Sequence, residues 1–219
     1  MYVKDNMTRN PYTVGQEQSV SEALDIMSAS KVHRLPVVDK KGKLIGIVTE
    51  SLIASNTPNN SSSLSVFELN YLLNKLQIKD IMVKEPISCY PDTLLEEAAT
   101  TLRKYDIGCL PVVNEENALV GLITHNDIFE AFINLMGYNQ NGIRYVINVV
   151  EDKPGIMEGI AKVCMDNNAS ISNLAVYHTD RGIEVVVITT GDDDITDKLV
   201  QAGYNITNTT KLTGKNNLS

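Results

Sequence analysis

The chain has 219 residues, of which 43% are hydrophobic, and it carries a formal net charge of −8 at pH 7. This length can hold two small domains, each with a sizeable core. The acidic balance argues against nucleic acid or an anionic membrane as the main partner, because both require a positive surface. Any anion that binds must therefore meet a local basic pocket.

Three cysteines, Cys89, Cys109 and Cys164, are widely spaced and form no C-x-x-C pair. This pattern favours reduced, buried thiols over disulfides or a zinc site. The N-terminus has no signal-peptide core, and no window of the sequence has the apolar length of a membrane span. The sequence therefore predicts a cytoplasmic protein without a metal centre.

The opening of the chain returns as a near-copy 75 positions later, without a gap. Between residues 3 and 53, 14 of 51 positions are identical to the residue 75 positions on. Both copies contain Leu-Pro-Val-Val, beginning at Leu35 and Leu110, and Gly-x-x-Thr, ending at Thr49 and Thr124. A long period with two copies indicates a duplicated domain half, so we predict two halves that fold against each other.

Each copy predicts the order β-α-β-β-α. A short opening segment that ends at a proline leads into a brief strand, an amphipathic helix and a hairpin of two valine-rich strands. Helix N-caps are predicted at Ser19 in the first copy and at Asp92 or Thr93 in the second. The closing helices begin at Thr49 and Thr124.

A polar stretch at 56–63 and a short amphipathic helix separate the copies. From residue 141 the order β-α-β-β-α-β predicts a ferredoxin-like sandwich, whose second helix begins at Asp194 and whose last strand ends at Thr209. The predicted division of the chain is 1–56 for the first copy, 57–76 for the connector and helix, 77–138 for the second copy, 142–212 for the sandwich and 213–219 for a tail.

The duplicated unit has a Leu-Pro-Val-Val hairpin whose second strand ends in Gly-x-x-Thr, and it resembles the CBS motif named after cystathionine β-synthase. The pair of units resembles a Bateman module. The last 75 or so residues, with the turn Glu151-Asp-Lys-Pro-Gly155, resemble an ACT domain. Two CBS motifs followed by an ACT domain are the layout of the acetoin-utilisation accessory proteins. The resemblance predicts an α/β (α+β) chain in which tandem CBS motifs form a Bateman module, followed by a ferredoxin-like ACT domain.

Bateman modules commonly bind adenosine compounds in clefts between the two motifs. The resemblance implies that Asp127 accepts hydrogen bonds from the ribose hydroxyls and that Thr124 contacts ribose or phosphate. A carboxylate suits a diol, and the N–H groups at a helix start suit a phosphate. The residues implied in nucleotide binding are Asp127, Thr124, His33, Arg34, Ile87 and Ser88.

The two copies differ at the implied positions. Leu52 stands where the second copy has Asp127, and Gly108-Cys109 stands where the first copy has His33-Arg34. One complete set of ligand groups therefore exists, which predicts one competent cleft per chain and a second that is weakened or vacant. Two alternatives remain open: the pair Thr124 and Asp127 is also a capping box, and His33-Arg34 also fits a solvated loop end.

For the last domain, the ACT resemblance implies a small amino acid at a domain interface, held by Asp152, Lys153, Gly155 and Ile156. Dimerisation through the sheet edge is the alternative for this domain. The sequence shows no nucleophile–base pair, Gly-rich phosphate loop or metal-ligand spacing, so we predict no catalytic residues and no enzyme.

The sequence thus predicts a non-catalytic sensor, a homodimer, with AMP, ADP or ATP as its regulatory ligand. Cyclic di-AMP or S-adenosylmethionine as the ligand, or a ligand-free interaction scaffold, are the alternatives.

Overall fold

The computed structural model describes residues 1–57, 66–151, 153–180 and 182–214. The chain divides into two compact units, Met1–Ile128 and Phe129–Ser219. The first unit contains the duplicated sequence, and the second contains the ferredoxin-like part.

The first unit is built from the two copies of the repeat. Its helices are α1 (Val3–Asn6), α2 (Val20–Ser30), α3 (Glu50–Asn56), α4 (Val66–Lys75), α5 (Ile78–Ile81), α6 (Leu95–Tyr105) and α7 (His125–Leu135), of which the last continues beyond the unit. Its strands are β1 (Thr8–Arg9), β2 (Val14–Gly15), β3 (Arg34–Val38), β4 (Leu44–Thr49), β5 (Val83–Lys84), β6 (Cys109–Val113) and β7 (Leu119–Thr124). One sheet has the order β2-β3-β4-β5 and the other β1-β7-β6.

The opening strand of each copy pairs with the hairpin of the other copy. In the first exchange β1 is antiparallel to β7, with Thr8 opposite Leu122. In the second, β5 is antiparallel to β4, with Val83 opposite Ile47. Each sheet is therefore completed by a strand from the other copy, which confirms that the two halves fold against each other.

At each exchange a glycine lets a methionine of the other copy approach the backbone closely. A Cβ at Gly46 would lie 2.6 Å from the sulfur of Met82, and one at Gly121 would lie 2.4 Å from the sulfur of Met7. All four residues belong to the identical positions of the repeat. The repeat thus preserves the contact between the copies as well as the elements within each copy.

The hairpin turns of the two copies also meet. The Leu44 N–H donates to the Asn117 carbonyl at 3.0 Å, and the Leu119 N–H donates to the Gly42 carbonyl at 3.1 Å. Gly42 and Asn117 both have left-handed backbone, with φ of 76° and 62°. Because these bonds join equivalent positions in both directions, the copies are related by an approximate twofold axis.

The valine-rich strands form the core because they are buried on both faces, as near-continuous apolar strands are. Leu35 and Val37 in β3, and Leu110 and Val112 in β6, have no exposed surface. Side chains of this kind each stabilise the fold by about 1.5–3 kcal/mol when fully buried. The hairpins consequently hold the ends of their strands in fixed positions.

The helix caps confirm one prediction and correct another. Ser19 caps α2, because its hydroxyl accepts from the Glu22 N–H at 3.2 Å while the Glu22 carboxylate accepts from the Ser19 N–H at 2.7 Å. The prediction of Asp92 or Thr93 for α6 is wrong, since its N-cap is Leu94. The Thr93 hydroxyl accepts instead from the Tyr90 N–H at 3.1 Å, within the preceding turn.

The connector helix α4 has two different faces. Leu73 packs against the core of the first copy, as does Leu76 just after the helix, whereas Phe67 is 87% exposed. The predicted polar stretch 56–63 lies mostly outside the described residues. Among the helices that the structure describes, none is both long and apolar enough to cross a membrane.

The second unit is a four-stranded antiparallel sheet with two helices, in the predicted order β-α-β-β-α-β. Its elements are β8 (Asn141–Val149), α8 (Ile156–Asp166), β9 (Ile171–Thr179), β10 (Gly182–Thr189), α9 (Thr196–Gln201) and β11 (Asn205–Thr213), with the sheet order β11-β8-β10-β9. The second helix starts at Thr196, later than predicted, and the last strand extends to Thr213. Tyr145 is fully buried in this unit, and its hydroxyl accepts from the Ile195 N–H at 3.0 Å.

All three cysteines are free and buried, as predicted. Burial, with a smaller contribution from the charge of Glu97, raises the pKa of the Cys89 thiol to about 11. Folding therefore favours the neutral thiol, and its stabilising contribution is present below pH 9 and lost as the pH rises toward 11. We expect the free energy of unfolding to fall by about 2–3 kcal/mol across this window through Cys89.

Urea unfolding of the wild type and of Cys89→Ala at pH 8, 9.5 and 11 measures this contribution. The free energy of unfolding is expected to fall less with rising pH in the variant, because one buried thiol no longer titrates. An equal fall in the free energy of unfolding of the two proteins would show that Cys89 does not contribute to the pH dependence of stability.

Candidate functional site

Arg34 reaches from the first copy to the second. It begins β3, where it lies opposite Thr49 in the hairpin register. Its side-chain Nη1 donates a hydrogen bond to the carbonyl of Gly108, the residue before β6, and this contact is partly buried. The first copy therefore places a positive charge at the start of the hairpin of the second copy.

Thr124 and Asp127 form a reciprocal cap at the start of α7. Oδ2 of Asp127 accepts from the Thr124 N–H at 2.7 Å and from the Thr124 hydroxyl at 2.8 Å. The Asp127 N–H donates in return to the Thr124 hydroxyl at 3.4 Å. Both bonds to the carboxylate use one oxygen, and Oδ1 has no donor among the described residues. The capping box and a role for Oδ1 as a ligand acceptor are therefore compatible.

The cation and the carboxylate lie at the same end of the β6–β7 hairpin. Cys109, which follows Gly108, is directly opposite Thr124 in the antiparallel register. The Arg34 contact and the cap of α7 therefore flank the same pair of strand ends.

Ile87 and Ser88 run toward this end of β6 as well. They precede Cys89, which forms a parallel bridge with Val112 and whose N–H donates to the Pro111 carbonyl at 3.0 Å. Because the pairing is parallel, residues before Cys89 lie beside the start of β6. Ile87 is 38% exposed, so its side chain is available to a ligand.

His33 makes its described contact within its own copy. Its Nδ1 lies 2.8 Å from Oε2 of Glu50, and the two side chains are 72% and 47% exposed. The structure thus brings Arg34, but not the His33 ring, to Gly108. An exposed pair of this kind contributes little to stability.

The pKa of the Cys109 thiol depends on the charge of Arg34 at this strand end. Burial raises the pKa of the Cys109 thiol, and the charge and hydrogen bond of Arg34 oppose that rise. The guanidinium therefore acts on groups at the start of β6 even without a ligand.

The equivalent end of the first hairpin has a different chemistry. The Thr49 hydroxyl accepts from the Leu52 N–H at 3.2 Å, so the helix is capped without a carboxylate. An open hollow of about 370 Å³ lies here and is lined by Ile47, Thr49, Ser51, Leu52, Ser55 and Val83. None of these lining residues is charged, which distinguishes this hollow from the end of the second hairpin.

Gly108 is a site residue that the sequence marks only as a difference between the copies. The signal that could have identified it is the repeat itself. Gly108 takes the position of His33, and it lacks a side chain at the point where Arg34 of the other copy arrives.

Three of the predicted amino-acid positions of the second unit, Lys153, Gly155 and Ile156, lie at the start of α8. Lys153 pairs with Glu151 at 2.8 Å, with both side chains more than 60% exposed. Gly155 is the N-cap of α8, with φ of 96°, and Ile156 is the first helical residue. Asp152 lies outside the described residues. The Ile156 N–H donates to the Lys153 carbonyl at 3.4 Å, so these two residues are neighbours in space, but the role of the four positions stays a prediction.

Two interlocked β-α-β-β-α units followed by a four-stranded sandwich define a tandem-motif module joined to a ferredoxin-like domain. Family models match the CBS domain at residues 3–56 and 78–134 and the ACT domain at residues 145–202. The chain therefore belongs to the CBS-domain family, and an ACT domain follows its CBS pair.

Solved structures of similar CBS pairs include complexes with adenosine compounds. The protein CBSX2 of Arabidopsis thaliana in complex with AMP is 31% identical, with a TM-score of 0.52 over 61% of this chain and 97% of that one. A CBS domain pair in complex with 5′-methylthioadenosine and S-adenosyl-L-methionine is 30% identical, with a TM-score of 0.51 and the same coverage.

A Vibrio cholerae protein assigned to acetoin utilization (AcuB) is 34% identical, with a TM-score of 0.51 over 63% of this chain and 93% of that one. The predicted resemblance to acetoin-utilisation proteins with CBS motifs is thereby confirmed.

Matches to enzymes cover only part of those enzymes. The L-aspartate semialdehyde sulfurtransferase of Methanocaldococcus jannaschii is 32% identical over 130 residues, which are 59% of this chain and 23% of the enzyme. The shared part is the CBS pair, which is generally a regulatory module.

Proposed function

We propose that this protein is a non-catalytic regulator that binds one adenosine nucleotide, AMP or ATP, between its two CBS copies. The observation that carries the proposal is the Arg34 contact with Gly108, beside the Thr124–Asp127 cap. It brings a cation from one copy and a carboxylate from the other to one pair of strand ends. This combination suits a ligand that has both a phosphate and a sugar diol.

The roles follow from the chemistry of each group. Oδ1 of Asp127 accepts from the ribose hydroxyls, Arg34 meets the phosphate, and Ile87 and Ser88 border the adenine. Similar CBS pairs that hold AMP or S-adenosyl-L-methionine support an adenosine compound as the ligand. The uncharged hollow of the first copy supports a single strong site per chain.

We also propose a cellular role for this binding. A cytoplasmic homodimer would bind the nucleotide, and an amino acid beside Lys153 and Gly155 would act at the ACT domain. The similarity to an acetoin utilization protein supports a role in regulating that metabolism. Regulation requires that the ligand have different affinities for two states of the protein.

Calorimetric titration of the purified protein with AMP, ADP, ATP and adenosine tests the proposal. We expect one nucleotide per chain, with a phosphorylated ligand binding more tightly than adenosine. Cyclic di-AMP and S-adenosylmethionine complete the panel, and sedimentation in the same buffer gives the oligomeric state. Two equal sites per chain would contradict the asymmetry, and no binding by any adenosine compound would favour the scaffold.

A further inference from the structure

Gly108 occupies a position where the backbone does not require glycine. Its φ lies outside the left-handed region in which other residues are strained. A Cβ built on it would lie 2.7 Å from Nη1 and 3.4 Å from Cζ of Arg34. Any side chain at this position would therefore displace the guanidinium, so the glycine leaves room for a residue of the other copy.

The first copy shows the alternative arrangement. His33 stands at the equivalent position, and its carbonyl accepts from the Glu50 N–H at 3.0 Å. In the second copy the corresponding carbonyl, that of Gly108, accepts from the side chain of Arg34. The carbonyl at this position therefore accepts a bond within the copy in the first case and a bond from the other copy in the second.

We propose that Gly108 is a positioning residue that gives the cleft its preference for phosphorylated ligands. This inference rests on the proposed function of the cleft. The Gly108 carbonyl takes one of the five N–H donors of Arg34 and the Cys109 thiol takes another, which holds the guanidinium at the strand end and leaves its other donors available to a phosphate. A guanidinium that is already held loses less freedom when the ligand binds.

The two ends of the module are unequal for the same reason. A mirrored contact would need an arginine at position 109 and a glycine at position 33, but the chain has Cys109 and His33. The contact between an arginine and a glycine therefore runs only from the first copy to the second. A strong site for phosphorylated ligands follows for one cleft and not for the other.

Gly108→Ala tests this role, with affinities for AMP and adenosine measured by calorimetry. We expect the affinity for AMP to fall about 10-fold or more, because one charge-assisted contact is misplaced, and the affinity for adenosine to change less than about 3-fold. Gly15→Ala is the matched control. Its φ also lies outside the left-handed region, and a Cβ there would have only an ordinary contact at 3.6 Å with Gln18.

A double-mutant cycle separates positioning from general damage. In the Arg34→Ala background, Gly108→Ala is expected to have no further effect on AMP affinity, because the residue acts through the guanidinium. Thermal unfolding of the same proteins without ligand provides a second cycle. Any loss of stability caused by Gly108→Ala is expected to be absent in the Arg34→Ala background.

Additive effects in both cycles, or equal losses for AMP and adenosine, would overturn the role of Gly108 while leaving the nucleotide site intact. A wild-type protein that binds neither ligand would overturn the proposed function, and the preference assigned to Gly108 with it.

Discussion

Replacing Asp127 with leucine is expected to lower the affinity for AMP by at least about 100-fold, and the affinity for adenosine by a similar factor. The carboxylate would accept hydrogen bonds from two ribose hydroxyls, and each bond to a charged group is worth about 1.5–3 kcal/mol. Two such bonds correspond to a factor of about 100 or more, since 1.4 kcal/mol is tenfold in affinity. Because both ligands contain ribose, both lose this interaction.

The fold is expected to tolerate this substitution because the first copy already contains it. Leu52 stands at the equivalent position, and the Thr49 hydroxyl caps its N–H at 3.2 Å. Losing the Asp127 side of the reciprocal cap costs about 1 kcal/mol, which thermal unfolding can measure. The loss of binding and the loss of stability are therefore separable.

Asp127→Asn is the matched control for charge. Its amide oxygen can still accept from Thr124, while the negative charge is gone. Calorimetry with AMP is expected to give an affinity between those of the wild type and the leucine variant. Unchanged AMP binding by Asp127→Leu would mean that the carboxylate serves only as the cap of α7.

The elements of the fold could be predicted because their signals are local. The valine-rich hairpins and the amphipathic helices show their periods within a few residues, and the second copy repeats them. The exchange of opening strands could not be predicted in the same way. The strands Thr8–Arg9 and Val83–Lys84 are too short to show a hydrophobic period. The packing of the whole copies determines which strand each of them pairs with.

The site was predictable to the extent that its groups are neighbours in sequence. Thr124 and Asp127 are three residues apart, so the cap follows from a short motif. The cap of α6 shows the limit of this reasoning, because Thr93 has the right residue type but bonds within its own turn. Gly108 was still harder to recognise, since its partner Arg34 lies 74 positions away.

Replacing Arg34 with alanine is expected to weaken AMP binding by about 10- to 100-fold and to change adenosine binding by less than about 3-fold. Only AMP has the phosphate that a guanidinium attracts, and a partly buried charge-assisted contact has this magnitude. The ratio of the two affinities, measured by calorimetry, isolates the phosphate interaction. Arg103→Ala, on the exposed surface of α6, removes the same charge elsewhere and is expected to leave the ratio unchanged.

The thiol of Cys109 gives a readout of the same substitution without any ligand. Burial raises its pKa, and Arg34 opposes that rise. Removing the guanidinium is therefore expected to raise the pKa further, measured from the pH dependence of the reaction of Cys109 with a thiol reagent in Cys89→Ala/Cys164→Ala protein. If the thiol responds but AMP and adenosine weaken equally, Arg34 supports the strand end and does not contact the phosphate. A fall in affinity confined to AMP, together with a raised pKa of the Cys109 thiol, would assign both effects to the guanidinium of Arg34.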